Sequence, residues 1–356
     1  MSELWRRIDT GLQSPARNVA LSQALLESRN ADEIPSTLRF ARSTRCVLLG
    51  YAETPEGLVD TGFCRDNDIA VVRSISYGPA AYVDEQQLLC ELFVHRREVT
   101  PDDVRVVAKR VAHAGATALC ALGVEAHQRD GKEIEVDGRT IASIRSGIDG
   151  DAILVQTWLS LQSASQAIDA LCIVRGELRS AAVAAARART ISVADALGSR
   201  APVSEIEHYI MEAFESTFDA EFREGELTLT EEARCKRALR AAEIALPLSG
   251  LLQAQESLRV VFGGAECKGG RLQALVVYDV RNQSIRHIWF SQHNPQASRT
   301  IFALETRLRG AALAQLPDRV SRFFASHPRT ACIPEPEEIV AVIHSAIDQR
   351  VIARNS

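Results

Sequence analysis

The clearest local signal in this sequence is an Asp-Gly pair, Asp137–Gly138, between two runs of alternating apolar and polar residues. The runs cover residues 133–136 and 139–142. Asp and Gly both tolerate the positive φ angles of a two-residue turn, so this pattern is typical of a β-hairpin. The segment predicts two adjacent antiparallel strands, and any fold of this chain must therefore contain a β-sheet.

Helical segments stand between further strand-like runs. Residues 46–51 and 88–94 are apolar runs of strand length, whereas residues 104–122 repeat apolar side chains at helical spacing. Other helices are predicted to begin at Ser14–Pro15 and at the capping box Ser204–Glu207. Because helices and strands do not alternate strictly, we predict an α+β fold.

The composition changes near residue 246, where the run Leu-Pro-Leu-Ser-Gly at 246–250 is typical of a linker. Three strand-like runs and several helical segments follow this linker. We therefore expect two domains in the chain of 356 residues. Residues 1–245 form the large domain in this prediction, and residues 246–350 form a small α+β C-terminal domain.

Charge and composition exclude several classes of protein. The net charge is −5, and no basic run is interleaved with aromatic residues, so we expect no nucleic-acid or membrane partner. No apolar run has the length of a membrane span, and the eight Cys are dispersed without a CxxC pair. Dispersed Cys are typical of reduced core residues, so we predict a cytoplasmic protein. The eight dispersed His predict no metal site.

A candidate anion site follows the strand-like run that ends at Arg73. The chain then enters the turn Tyr77–Gly78–Pro79 and continues to Asp84. A turn of small residues beside an Arg is a plausible place to hold an anion against backbone N–H groups. An ordinary Gly-Pro turn explains the same residues. The residues alone leave both interpretations open.

The order of these elements resembles the lipoate–protein ligase family, which shares its fold with biotin protein ligases and octanoyltransferases. Four stretches carry the resemblance, at residues 5–21, 38–51, 69–84 and 136–143. In the third, the family has two arginines, a Ser or Thr and three glycines, then Ala-Val, an aromatic, His and Asp. In the fourth it has a Gly-Arg-Lys-Ile-Ser-Gly hairpin. Residues 256–327 are also similar to the family's small C-terminal accessory domain.

The resemblance implies a large mixed β-sheet domain flanked by helices, a two-step reaction and a set of site residues. Lipoate or octanoate is activated by ATP, with Mg²⁺, to an acyl-adenylate, and the acyl group passes to a Lys of a lipoyl carrier domain protein. The resemblance places Thr140 at the catalytic Lys. It places six residues around the cofactor and the acyl chain: Arg73, Ser76, Gly78, Tyr82, Asp84 and Gly138.

This chain departs from the family at the residues that perform the chemistry. Ser74 replaces the second Arg, Tyr77 and Pro79 replace two of the three glycines, Val83 replaces the His, and Thr140 replaces the Lys. Ser22 and Gln23 also replace the usual acids of the first helix. Pro79 removes a backbone donor.

Strand parity places Arg139 on the opposite face from Thr140, and Lys132 and Arg145 lie too far along the hairpin to substitute for the Lys. Loss of such a stabilising group costs roughly 10²–10³ in rate, so ligase activity is in doubt.

For four residues the sequence leaves two roles open, a role in the site and a role in the core. Tyr82 and Trp158 either line an acyl pocket or pack in the core, and large aromatics on strands are more often core. Cys120 and Cys172 are either nucleophiles of an acyltransferase or core residues, and core is again the commoner role. Two functions follow. The protein is an atypical lipoyl or octanoyl ligase or transferase, or it is a non-catalytic pseudoenzyme that binds or scaffolds a lipoyl carrier protein or a ligase.

Overall fold

The computed structural model describes most of the chain, and Cys172 and the linker predicted at residues 246–250 lie outside the part that it describes. The described ranges are 3–51, 59–99, 103–163, 188–244, 258–267, 270–291, 298–308, 310–326 and 333–348, with residue 184. Two compact units divide the chain. The larger comprises residues 1–51 and 55–242, and the smaller comprises residues 52–54 and 243–356.

The larger unit contains eleven strands among its described residues. They are β1 Glu3–Gln13, β2 Thr37–Ser43, β3 Cys46–Leu49, β4 Ala70–Arg73, β5 Ala81–Val83, β6 Gln87–His95, β7 His127–Arg129, β8 Glu133–Val136, β9 Arg139–Asp149, β10 Ala152–Ser160 and β11 Ala220–Glu224. Eight of them form one sheet in the order β11-β1-β2-β6-β10-β9-β8-β7. The β1 strand runs parallel to both β11 and β2, and the described β6, β10, β9, β8 and β7 pair antiparallel. The predicted large mixed sheet is confirmed.

The predicted hairpin is also confirmed. Residues Asp137 and Gly138 connect β8 to β9 with φ angles of 51° and 71°, and Val136 pairs with Arg139. Positive φ at both central residues is the geometry that favours Asp-Gly in two-residue turns.

Six helices of the larger unit are described. They are α1 Pro15–Asn30, α2 Thr61–Asp66, α3 Val104–Ala121, α4 Val193–Leu197, α5 Val203–Phe218 and α6 Leu229–Ile244. The Ser14 side chain caps α1 as predicted. The capping box predicted at Ser204 is wrong, because α5 begins at Val203 after Pro202 and has no side-chain cap. Ser204 therefore lies inside the first turn, where its hydroxyl does not occupy the cap position.

The two faces of the sheet pack against different elements. On one face, side chains of α3 and α5 such as Val111 and Phe214 pack with Val155 of β10. On the other face, Leu154 of β10 packs with Leu25 of α1. The same second face carries β3, β4 and β5, which form a small sheet in the order β4-β3-β5. The candidate site lies between this small sheet, α1 and the large sheet.

The smaller unit has its own sheet and core. Its strands are β12 Leu258–Cys267, β13 Gly270–Asp279 and β14 Ser284–Ser291, and its helices are α7 Ser298–Leu308, α8 Leu316–Ser326 and α9 Pro336–Asp348. The three strands pair antiparallel, and residues such as Val276, Leu304 and Val342 form a separate apolar core. Within the part of the chain that is described, no helix is both long and apolar enough to cross a membrane.

Candidate functional site

Four buried polar side chains form a row across adjacent strands of the large sheet. Arg39 of β2 pairs in register with Glu91 of β6, Glu91 pairs with Gln156 of β10, and Gln156 pairs with Arg145 of β9. Residues directly opposite one another on neighbouring strands share a face of the sheet. Their exposed fractions are only 0% for Arg39, 0% for Glu91, 3% for Gln156 and 2% for Arg145. We call these four residues the polar row.

The Glu91 carboxylate is the centre of the row. Its Oε2 accepts a hydrogen bond from Arg39 Nη1 at 2.6 Å. Its Oε1 accepts one from Ser22 Oγ at 2.6 Å and one from Gln156 Nε2 at 2.5 Å. The three donors belong to β2, α1 and β10. A buried carboxylate is stable only when a cation and hydrogen-bond donors compensate for its lost hydration, and here both are present.

Arg39 connects this carboxylate to the first strand and the first helix. Its Nε donates to Thr10 Oγ1 at 2.9 Å, and its Nη2 donates to Asn18 Oδ1. Asn18 also donates from Nδ2 to the carbonyl of Arg42 at 2.9 Å. The guanidinium therefore orients α1 against β1 and β2 as well as neutralising Glu91.

Gln156 connects the row to the turn that follows β4. Its Oε1 accepts hydrogen bonds from Ser76 Oγ and, at 3.5 Å, from Ser74 Oγ. The two hydroxyls also lie 2.7 Å apart and share a hydrogen bond. Both serines are buried. Ser76, one of the predicted site residues, is therefore held by the polar row.

Arg145 lies beneath the Gly78–Pro79 peptide. Its Nη2 donates to the carbonyl of Leu48 at 3.3 Å and to the carbonyl of Pro79. A Cβ on Gly78 would lie 2.8 Å from Arg145 Cγ, so only glycine leaves room for this side chain. The sequence argument placed Arg145 too far along the hairpin to substitute for the catalytic Lys, and it missed that Arg145 reaches the turn. The reason is that β9 continues past the hairpin, where Ser146 O accepts from Tyr77 N at 2.7 Å.

The outer side of the turn is closely packed. A Cβ on Gly50 would lie 1.9 Å from the carbonyl oxygen of Gly78, so the two backbones touch. Arg73 is half-buried, and its Nη1 donates to the carbonyl of Tyr51 at 3.0 Å. The rings of Tyr51 and Tyr77 lie 5.5 Å apart. Arg73, Ser76 and Gly78 therefore lie close together at one turn.

The hairpin residues lie elsewhere. Thr140 precedes Arg145 by five residues on β9, roughly 17 Å along an extended strand. Its backbone N donates to Arg189 O at 2.8 Å, and its carbonyl accepts from Ile191 N at 3.0 Å. An added Cβ on Gly138 would contact no atom within 4 Å. Gly138 and Thr140 therefore lie at a hairpin whose inner end pairs with residues 189–191.

Three further candidate residues are buried. Tyr82 packs with Val47 and Leu49, and burial raises its pKa to about 12. Trp158 packs with Leu48 in a second cluster, and its indole N–H makes no hydrogen bond to any described residue. Both aromatics are buried, as the core interpretation expects. Asp84 accepts from Gln86 N at 2.9 Å in the turn before β6, and burial raises the pKa of this carboxyl.

The described cysteines do not supply a nucleophile at the turn. Cys46 is buried in β3, and burial raises the pKa of its thiol to about 12. A thiol held neutral in this way is a poor nucleophile. The predicted burial of Cys120 is wrong, because it lies on the outer side of α3 while Ala118 and Leu119 face the core. That helix covers the opposite face of the sheet from the polar row.

Sequence reasoning missed Glu91 and Gln156 altogether. Each is a polar residue in a largely apolar run, Glu91 in Leu-Cys-Glu-Leu-Phe and Gln156 in Leu-Val-Gln-Thr-Trp. A charged residue in such a strand is seldom buried without a partner. That was the available signal, although the partner could not be named from it.

The match to known proteins agrees with this architecture. A family model described as the lipoyl protein ligase A/B catalytic domain matches residues 14–215. The chain belongs to this family. It is 25% identical over 256 residues to the octanoyltransferase LipM of Moorella thermoacetica, a match covering 66% of this chain and 94% of that protein. Its match to LipM of Oceanobacillus iheyensis, at 28% identity, covers 50% of that protein.

Solved lipoate–protein ligases have the same fold. A bi-partite lipoate protein ligase from Thermoplasma acidophilum, described together with its E2 lipoyl domain, aligns with a TM-score of 0.59 and 20% identity over 67% of this chain and 92% of that one. Lipoate-protein ligase A bound with ATP aligns with a TM-score of 0.57 and 20% identity over 67% and 95%. LipL1 of P. falciparum in complex with lipoate aligns with a TM-score of 0.58 and 12% identity over 97% and 100%. At these identities the likeness concerns the fold alone.

The turn lacks some of the groups that a site for the phosphates of ATP would use. Arg73 and Arg145, two cations among the residues described at the turn, donate to backbone carbonyls of their own chain. Pro79 offers no N–H group, and Thr140 supplies no charge. Among the described residues, no cluster of three or more His, Cys, Asp or Glu side chains is placed to hold a metal ion. We therefore derive no reaction step through ATP or Mg²⁺ in this chain.

Proposed function

We propose that this protein acts in protein lipoylation without forming an acyl-adenylate, as a non-catalytic binding partner or scaffold of a lipoyl carrier protein or of a ligase. The polar row is the observation that carries this proposal. Arg39, Glu91, Gln156 and Ser76 hydrogen-bond to one another beneath the turn where the family resemblance places the acyl acid. A site whose polar groups are already paired offers little to a substrate, because binding must first break those pairs.

The choice of partner follows from the family. The relative from Thermoplasma acidophilum is described with an E2 lipoyl domain. The large sheet and its helices are retained in this chain even though the turn and Thr140 have diverged. Retention of the scaffold is what a carrier-binding surface requires, since such a surface depends on the positions of whole elements and not on the catalytic Lys.

A second candidate function is octanoyl or lipoyl transfer between two carriers. The alignment with LipM of Moorella thermoacetica over 94% of that protein favours it. Transfer of an already activated acyl group needs no ATP, so an unsuitable phosphate site does not argue against it. Cys172, a candidate nucleophile, lies outside the described residues. This candidate therefore requires a reaction without ATP.

One experiment distinguishes a binding partner, a ligase and a transferase. In one reaction, the full-length protein is incubated with a lipoyl domain, ATP, Mg²⁺ and either octanoate or lipoate. In a second reaction, ATP is left out and an octanoylated donor carrier supplies the acyl group. The mass of the acceptor domain is then measured, and its binding to the full-length protein is measured by titration calorimetry.

We expect the acceptor domain to bind without a gain in mass. A gain that needs ATP and is lost in Arg73→Ala, but not in the exposed control Arg65→Ala, supports a ligase. A gain from the donor carrier that is lost in Cys172→Ser supports a transferase.

A further inference from the structure

A small cavity lies inside the larger unit, on the face of the sheet opposite the polar row. Its lining includes Cys90 of β6 and Thr157 of β10, which pair in register, together with side chains of α3 and α5. Successive residues of a strand point to opposite faces, so these two side chains point away from the neighbouring residues that belong to the polar row. The cavity is therefore separate from the candidate site.

The cavity has room for one small molecule. About 20 Å³ of it is open to the centre of a water molecule. Roughly 10–15 Å³ of such space is enough to hold one water, so the cavity accommodates a single occupant of a few heavy atoms.

The lining of the cavity is apolar apart from one hydroxyl and one thiol, and none of the described lining residues carries a charge. Thr157 is 7% exposed, and its Oγ1 makes no hydrogen bond to any described residue. Buried hydroxyls are nearly always paired, so the described part of the chain leaves a hydrogen-bonding group unused here. Burial raises the pKa of the Cys90 thiol, which stays protonated and is only a weak partner.

We propose that this cavity binds a small neutral molecule with an apolar body and one hydrogen-bond acceptor, to which Thr157 Oγ1 donates. Water is a poorer occupant, because a buried water makes about three hydrogen bonds and the lining side chains offer one hydroxyl and a weak thiol. An ion is excluded by the cost of burying a charge where no described lining residue compensates for it. The proposed role in lipoylation is not needed for this inference.

The test compares acetonitrile with propyne, two probes of the same shape of which only acetonitrile has a good hydrogen-bond acceptor. Each is titrated into the full-length chain, and the methyl resonances of Leu119 and Ile134, which line the cavity, report binding. We expect saturable shifts with both probes. Thr157→Val keeps the shape of the side chain and removes the hydroxyl, so it should weaken acetonitrile binding roughly three- to tenfold and leave propyne binding unchanged.

Two variants of α3 show whether the shifts come from the cavity. Ala118→Val adds bulk at a lining position and should abolish the response to both probes. Ala121→Val makes the same change at an exposed position of the same helix and should retain the response. If Ala118→Val does not fold, Leu122→Phe at a half-buried lining position takes its place.

Three results overturn the proposal. They are shifts that do not saturate, as expected if water holds the cavity, a response that persists in the filled variant, and equal affinity of acetonitrile for the wild type and Thr157→Val. These outcomes are independent of the acylation assay. Acylation of the carrier contradicts the proposed function, whereas a missing response to the probes contradicts only the cavity site.

Discussion

The hydroxyl of Ser22 on α1 lies 2.6 Å from Glu91 Oε1 on β6 and 3.4 Å from Arg39 Nη1. Ser22 is thus in contact with both members of a buried ion pair. A carboxylate at position 22 would reach the same guanidinium. The family resemblance expects an acid at this position, and in this chain the acid that neutralises Arg39 comes from β6 instead.

This contact predicts that the negative charge that neutralises Arg39 can be supplied from position 22 as well as from position 91. Glu91→Ser should lower the free energy of unfolding by about 3–5 kcal/mol, because it leaves Arg39 buried without a counter-ion. Adding Ser22→Asp should recover most of that loss. Ser22→Asp alone should destabilise, since two carboxylates would then face one guanidinium. Urea unfolding of the four proteins completes the double-mutant cycle. Additive effects would contradict the shared role of the two positions.

The close approach of Gly50 to the turn predicts a large steric effect. Gly50→Ala places a methyl group 1.9 Å from Gly78 O, and we expect a loss of about 3 kcal/mol from the displaced backbone. Gly138→Ala is the matched control, because it meets no atom and is strained only by its φ of 71°. It should cost about 1 kcal/mol. Urea unfolding measures both, and equal losses would show that the turn accommodates the methyl group.

Stability should fall at alkaline pH because of Cys46. Burial raises the pKa of this thiol from 9.0 to about 12, so the unfolded chain ionises first. The contribution of the neutral thiol is complete below pH 9 and is lost as the pH rises toward 12. At about pH 10.5 the loss should approach about 2 kcal/mol relative to pH 7.5. Urea unfolding of the wild type and Cys46→Ala at both pH values isolates this effect, and parallel pH profiles would contradict it.

Thiol labelling should separate the described cysteines by burial. Cys120 is exposed on α3, whereas Cys46 and Cys90 are buried. We expect iodoacetamide to modify Cys120 in the native protein before either buried thiol, and Cys120→Ser to remove that early product. Peptide mass spectrometry identifies the sites. Early modification of Cys46 would indicate an accessible, ionised thiol beside the turn and would strengthen the transferase alternative.

The sequence predicted the hairpin, but it did not predict the contacts of the polar row. The hairpin at Asp137–Gly138 follows from turn chemistry that neighbouring residues determine. The contact between Arg39 and Glu91 joins residues 52 positions apart, and it depends on the register of β2 against β6. Periodicity along one strand carries no information about that register. The position of Arg145 was missed for the same reason, since the turn after β4 reaches β9 only in the folded chain.

Cys120 shows a further limit of sequence patterns. It follows Ala118 and Leu119 in an apolar run, and both neighbours are buried while Cys120 is not. A helix turns by about 100° per residue, so composition alone does not say which members of such a run face the core.

The most direct test of the central claim is octanoate-dependent exchange between ATP and pyrophosphate, which reports the formation of an acyl-adenylate. With full-length protein, Mg²⁺ and octanoate, we predict exchange no greater than in the reaction without octanoate. Exchange that depends on octanoate and disappears in Arg73→Ala would contradict the account.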